Sequence, residues 1–72
     1  MRHEFYKGDI PESGELDEKK IATVYVYSKT LEFREYSPFA DKYVVPNTKA
    51  GRKKMDAFLH RCGYVHLITK EH

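Results

Sequence analysis

His60, Cys62 and His66 form the one grouping of metal-ligand residue types in the chain, spaced His-x-Cys-x3-His. Zinc needs three or four ligands converging at about 2.0–2.3 Å, and structural sites commonly carry at least two cysteines. Cys62 falls on the apolar stripe of an amphipathic helix, whereas His60 falls on the opposite side of the same helix. The three side chains therefore converge only if the helix end is distorted. The reading is a buried structural cysteine beside two ordinary histidines, with no metal bound. A Cys-His nucleophile pair fails on the same ground, since a reactive thiol needs a lowered pKa and access to solvent.

Other chemistry finds no foothold. Gly8, Gly14, Gly51 and Gly63 are scattered and make no phosphate-cradling loop, and neither GxSxG nor HExxH occurs. Asp9, Glu12, Glu15, Asp17 and Glu18 are acidic neighbours, but they lack the alternating ligands, central glycine and closing glutamate of a calcium loop. No catalytic constellation and no cofactor are expected.

Two surfaces are suited to binding. Lys49, Arg52, Lys53, Lys54, His60 and Arg61 cover the outward sides of the predicted helix, interrupted by Asp56. A helix N-terminus with basic side chains attracts phosphate through its dipole and free N–H groups, so Lys49, Arg52, Lys53, Lys54 and Arg61 are candidates for nucleic-acid backbone contacts. They are equally what an amphipathic helix on a small domain needs as its solvated face. The second surface holds Tyr25, Tyr27 and Tyr36 with Arg34 among them. Tyr and Arg are enriched at interface hot spots because they bury large area and keep a polar handle. Stacked bases use such rings on the sheets of RRM and OB modules, but this chain has neither the RNP signature nor the β-α-β-β-α-β order of an RRM. A competing arrangement pairs Tyr25 with Arg34 as a cation–π contact and half covers Tyr27 and Tyr36 with the loop at 8–20.

The elements that carry these residues are read from periodicity. Residues 3–7 make a short first strand. Residues 8–20, with two Gly, one Pro and seven charged side chains, read as a mobile, solvated loop. Ile21–Ser28 and Leu31–Tyr36 are β-rich and alternate. With Lys29-Thr30 as a two-residue turn, Val26 sits opposite Phe33 and Ser28 opposite Leu31. Val24, Val26, Leu31 and Phe33 then share one face, while Thr23, Tyr25, Tyr27, Glu32, Arg34 and Tyr36 share the other. Residues 37–41 form a turn around Pro38, and Lys42–Val45 is a strand stopped by Pro46. In the helix over 48–62, capped by Asn47 or Thr48, Met55, Phe58, Leu59 and Cys62 form the apolar stripe. Gly51 sits one turn earlier, where it permits close packing, and Gly63 ends the helix. Tyr64–Thr69 is a last strand, with Val65 and Leu67 alternating against Tyr64, His66 and Ile68.

The order β-β-β-β-α-β predicts a small α+β fold of two layers, an antiparallel sheet of four to five strands under one helix. Seventy-two residues, 40% of them apolar and with six Tyr and four Phe, suit one folded domain over residues 1–72. A chain this short buries only about 60% of its unfolded surface, so a partner or self-association would add stability. No apolar run approaches the roughly 20 residues of a membrane span, and no membrane partner is expected. A lone cysteine excludes an internal disulfide and points to a reducing, cytoplasmic setting. The net charge of +2 is too near zero to name a partner. Its distribution is uneven: residues 1–20 carry four basic and six acidic side chains, residues 47–72 six basic and two acidic. Such a gradient steers association or draws the two halves of the fold together.

These features point to a non-enzymatic regulator or inhibitor that binds another protein through the tyrosine-bearing sheet face or an edge strand. A homodimer formed by sheet extension is a variant of that reading. Its size and economy fit small regulatory proteins of phages and mobile elements, and its core is too small to enclose a substrate pocket. The alternative is a nucleic-acid-binding module working through the basic helix.

Overall fold

The computed structural model describes residues 1–37, 40 and 42–71. It is the expected α+β fold: β1 (Arg2–Lys7), β2 (Ile21–Val26), β3 (Thr30–Arg34), β4 (Tyr43–Pro46), α1 (Lys49–Arg61) and β5 (Tyr64–Lys70). The strands form one antiparallel sheet in the order β4-β3-β2-β1-β5. The first strand therefore lies inside the sheet, and β4 and β5 are its edges.

One layer of core lies between sheet and helix. Ala22, Val24, Leu31, Phe33 and Val45 from the strands meet Met55 and Leu59 from α1, with Phe5, Val26, Tyr43, Phe58 and Tyr64 packed around them. The rings of Phe58 and Tyr64 both meet Phe33 edge-on, at centroid distances of 5.0 and 5.4 Å. Thr48 caps α1, its Oγ1 accepting from the Gly51 N–H at 3.0 Å. Gly63 follows the helix with φ of 80°, a left-handed value that costs glycine little. Its carbonyl accepts from the Gly8 N–H at 2.9 Å, tying the helix end to the end of β1.

The β2–β3 hairpin has a different register from the one expected. Val26 pairs with Leu31 and Val24 with Phe33, and the two-residue turn is Ser28-Lys29, closed by Tyr27 N–H to Thr30 O at 2.9 Å. The shift moves each partner by two positions, which preserves the side on which each residue lies. β3 ends at Arg34, before Tyr36, and β2 ends at Val26, before Ser28. Pro46 is the last residue of β4, paired with Thr30 on a sheet edge where its missing N–H is tolerated.

β5 departs further. Its pairing with β1 slips between Glu4–Ile68 and Phe5–His66, leaving Leu67 as an extra residue. That bulge breaks the simple alternation expected for this strand. Val65 pairs with Tyr6 and is 40% exposed, and Ile68, expected on the other side from it, pairs with Glu4 on the same side. Cys62 is another correction: it lies beyond the last turn of α1 as its C-cap and is half-buried, not a core residue. The turn expected at 37–41 falls partly on residues 38, 39 and 41, outside the described residues; Ala40 N–H donates to Ser37 O at 3.2 Å.

Candidate functional site

α1 covers one face of the sheet and leaves the other without a helix. Residues directly opposite in an antiparallel pair share a face. The open face is thus built from Tyr25 opposite Arg2 and Glu32, Thr23 opposite Glu4 and Arg34, and Val44 opposite Glu32. Ile68 joins it opposite Glu4 and Val65 opposite Tyr6.

Three of the four expected interface residues meet here. The rings of Tyr25 and Tyr27 stack at 6.3 Å with an interplanar angle of 18°. The Arg34 guanidinium lies 5.6 Å from the Tyr25 ring centroid. Arg34 is held from the far side by Glu32, Nε to Oε2 at 2.8 Å, and Lys42 Nζ reaches the other carboxylate oxygen at 3.6 Å. The Arg34 hydrogen bond pulls the Glu32 carboxyl below its ordinary range, and Glu32 in turn raises the guanidinium. Tyr36 touches this group differently. It lines a shallow groove of about 340 Å³ with Tyr25, Arg34, Glu18 and Glu35. The expected cation–π pair therefore exists without masking the rest, since Tyr27 and Tyr36 are 48% and 56% exposed.

The loop at 8–20 covers a residue that alternation alone did not single out. Tyr6 is 1% exposed yet stands apart from the helix-side core. It lies on the open face between Ile21 and Val65. Its hydroxyl accepts from the Asp17 N–H at 3.1 Å, at the entry to a 3-10 turn over Glu18–Lys20. The available signal was the pair Phe5-Tyr6, which puts one aromatic ring on each side of β1.

The basic residues occupy another side of the molecule. Lys49, Arg52, Lys53, Lys54 and Arg61 are all exposed on α1. With 3.6 residues per turn, Lys49 and Lys53 share a row, while Lys54 and Arg61 lie on the opposite flank. Arg52 Nη1 donates to Asn47 Oδ1 at 3.2 Å. None of the ion pairs among the described residues joins the acidic N-terminal third to this helix: they are Arg2–Glu4, Arg34–Glu32, Lys42–Glu32 and Lys70–Glu4.

His60, Cys62 and His66 are not brought together as ligands. His60 is exposed on α1, and His66 packs against Phe5 at 5.4 Å with Nε2 3.0 Å from Thr69 Oγ1. Among the described residues, no three His, Cys, Asp or Glu side chains are placed to hold a metal ion. No helix among them is long and apolar enough to cross a membrane.

No protein-family model matches the chain, and no match appears among curated proteins or solved structures.

Proposed function

We propose that this chain is a small protein-binding module, of the regulator or inhibitor kind, whose partner docks on the open sheet face around Tyr25, Tyr27, Arg34 and Tyr36. The observation that carries the reading is where the exposed apolar side chains lie. Of the seven large ones among the described residues, Tyr27, Tyr36, Val44, Val65 and Ile68 belong to this face, and only Met1 and Ile10 do not. Val44 lies at one edge of this face and Val65 and Ile68 at the other, with the tyrosines between, and an open face that gathers exposed apolar side chains in this way suits an interaction site. Rings held by stacking and by a neighbouring guanidinium also lose little freedom when a partner arrives, which favours them as anchors. The seven-residue edge β5 continues the face to a rim with free ladder groups, where a partner strand or a second copy would extend the sheet.

The test is partner capture followed by quantitative binding. The intact chain serves as bait, captured proteins are identified by mass spectrometry, and one is prepared to measure affinity. Tyr25→Ser with Tyr27→Ser should weaken that affinity at least tenfold, the loss expected of hot-spot rings. Both sites are on the solvated face, so far-UV circular dichroism should stay unchanged. Undiminished affinity in the double variant sinks the reading. The competing one, phosphate contacts by the basic helix, predicts that the same variant binds as before.

A further inference from the structure

The helix also leaves part of its own face uncovered. α1 leaves β4 at one edge of the sheet and delivers the chain to β5 at the other, so it crosses obliquely. The corner where β1 begins and β2 ends lies outside that path. Between this corner and the N-terminal half of α1 runs a groove of about 350 Å³. Its apolar lining is the exposed Met1 and the half-buried Phe5 and Val26, backed by Val24, Leu31, Met55 and Leu59, each 5% exposed or less. The volume lies within the range of small-molecule sites, roughly 300–1,000 Å³. The core is thus small, yet one side of it opens into a space that a ligand could fill.

Arg52 and the N-terminal ammonium of Met1 are the cations of the lining, and Arg52 is the one held by a hydrogen bond. Asn47 is pinned to the β2–β3 turn, its Nδ2 donating to Tyr27 O at 2.8 Å and its backbone N–H to Lys29 O at 2.9 Å. Its Oδ1 accepts from Arg52 Nη1 at 3.2 Å, which holds the guanidinium at the groove's lining. Asp56 lies one helical turn further on, at a spacing that permits an ion pair. Arg52 nevertheless makes none among the described residues. Among the described residues, no carboxylate pairs with the rest of its donor fork. At the other end, His3 Nδ1 lies 2.8 Å from Thr69 Oγ1. Burial first, then His66 and the N-terminal ammonium, lower the His3 pKa against an opposing pull from Asp56, so the ring is mainly neutral at pH 7. The groove therefore combines an apolar floor with one positioned guanidinium and, at Met1, the N-terminal ammonium.

We propose that this groove binds a small amphiphilic monocarboxylate, its apolar body on Met1, Phe5 and Val26 over the core side chains Val24, Leu31 and Met55, and its carboxylate on Arg52. A guanidinium fork matches a carboxylate in two parallel hydrogen bonds, which an alcohol or amine head cannot reproduce. Asp56 is the competing charge and would favour a cationic head, so the sign of the head group is the deciding variable.

The experiment is amide chemical-shift titration of the intact chain with octanoate, 1-octanol and octylammonium, all below their aggregation limits. Octanoate should give saturable shifts at Val24, Val26, Leu31 and Met55, with affinity about tenfold or more above the other two probes, as expected for one charge-assisted pair. Arg52→Gln, at an exposed helix position, should bring octanoate down to the level of octanol. Val26→Phe, which fills the groove from its wall, should weaken all three probes. Amide dispersion reports the fold of each variant. The proposal falls if octanoate gives no saturable shifts, if its shifts map to the open face, if octanol or octylammonium binds as well, or if Arg52→Gln leaves octanoate affinity unchanged.

Discussion

Gly51 packs directly on the backbone of Pro46. A β-carbon at Gly51 would overlap the Pro46 carbonyl oxygen and stand 2.8 Å from its carbonyl carbon. Only Asn47 and Thr48 separate β4 from α1, so the helix must turn back against the strand it has just left. Glycine inside a helix costs about 1 kcal/mol relative to alanine, and here the close approach offsets that cost.

Gly51→Ala should therefore destabilise the domain although alanine is the better helix former. Because the obstruction is backbone and cannot rotate away, the expected loss is about 2 kcal/mol or more. For a domain of this size that lowers the melting temperature by roughly 8–16 °C. Thermal unfolding followed by circular dichroism at 222 nm measures it. A variant melting at or above the wild-type temperature would show that the strand–helix contact relaxes freely.

Tyr6 ties the loop at 8–20 to the open face through a ring and one hydroxyl. Tyr6→Phe keeps the buried ring and removes only the acceptor of the Asp17 N–H. We expect a global cost of about 1 kcal/mol, together with faster hydrogen exchange at Asp17 and through residues 18–20. Truncation to Ala should cost about 3–5 kcal/mol, because the ring is buried. Equal exchange in wild type and Tyr6→Phe would mean that the hydroxyl does not anchor the loop.

What the sequence made legible is what periodicity controls. The two faces of the hairpin are assigned correctly even though its turn is not, because slipping the pairing by two residues leaves every side chain on its side. The turn itself carries no signal: Ser28 and Lys29 are not the left-handed residues that mark primed hairpins, and no described residue other than glycine has positive φ. The bulge at Leu67 depends on how β1 and β5 meet across more than sixty residues, and local pattern does not encode that. The expected alternation of Val65 and Leu67 is consequently broken at Leu67. Tyr25, Tyr27 and Arg34 were legible as a group because two-residue alternation alone brings them together. The helix-side groove was not, since it follows from the angle at which α1 crosses the sheet. The shallow groove beside Tyr36 likewise needs the 3-10 turn to supply Glu18.

His3 makes the stability depend on pH in a definite direction. Burial is the main reason its folded pKa is lowered, with His66 and the N-terminus adding to it and Asp56 opposing. The unfolded chain thus takes up this proton first as pH falls through the ordinary value of 6.5. Stability from this group is fully present above that value and is lost as pH drops towards the lower folded value. The melting temperature should fall between pH 7.5 and pH 5.5, and His3→Gln should flatten that slope. Glu32, whose pKa is lowered from 4.5 by Arg34, acts only at more acidic pH, so the two windows separate. An unchanged slope in His3→Gln would place its source elsewhere.

The charged faces give the last discriminating prediction. Acidic residues crowd the loop that covers Tyr6, and the basic side chains lie on α1 across the sheet. A nucleic-acid interface would need those cations to follow one backbone track. On α1 they divide between two flanks, and Arg52 is bonded to Asn47. Labelled single-stranded DNA, duplex DNA and RNA should accordingly bind at low salt through diffuse attraction and be released near physiological salt. Each phosphate lastingly neutralised on duplex DNA adds about 0.9 to the log–log salt slope. A steep slope with binding that survives physiological salt, and that is lost on charge reversal at Arg52 and Lys53, would move the functional surface to the helix. Release at physiological salt, with Arg52 and Lys53 reversal leaving protein capture intact, would remove the helix as a rival to the proposed tyrosine face.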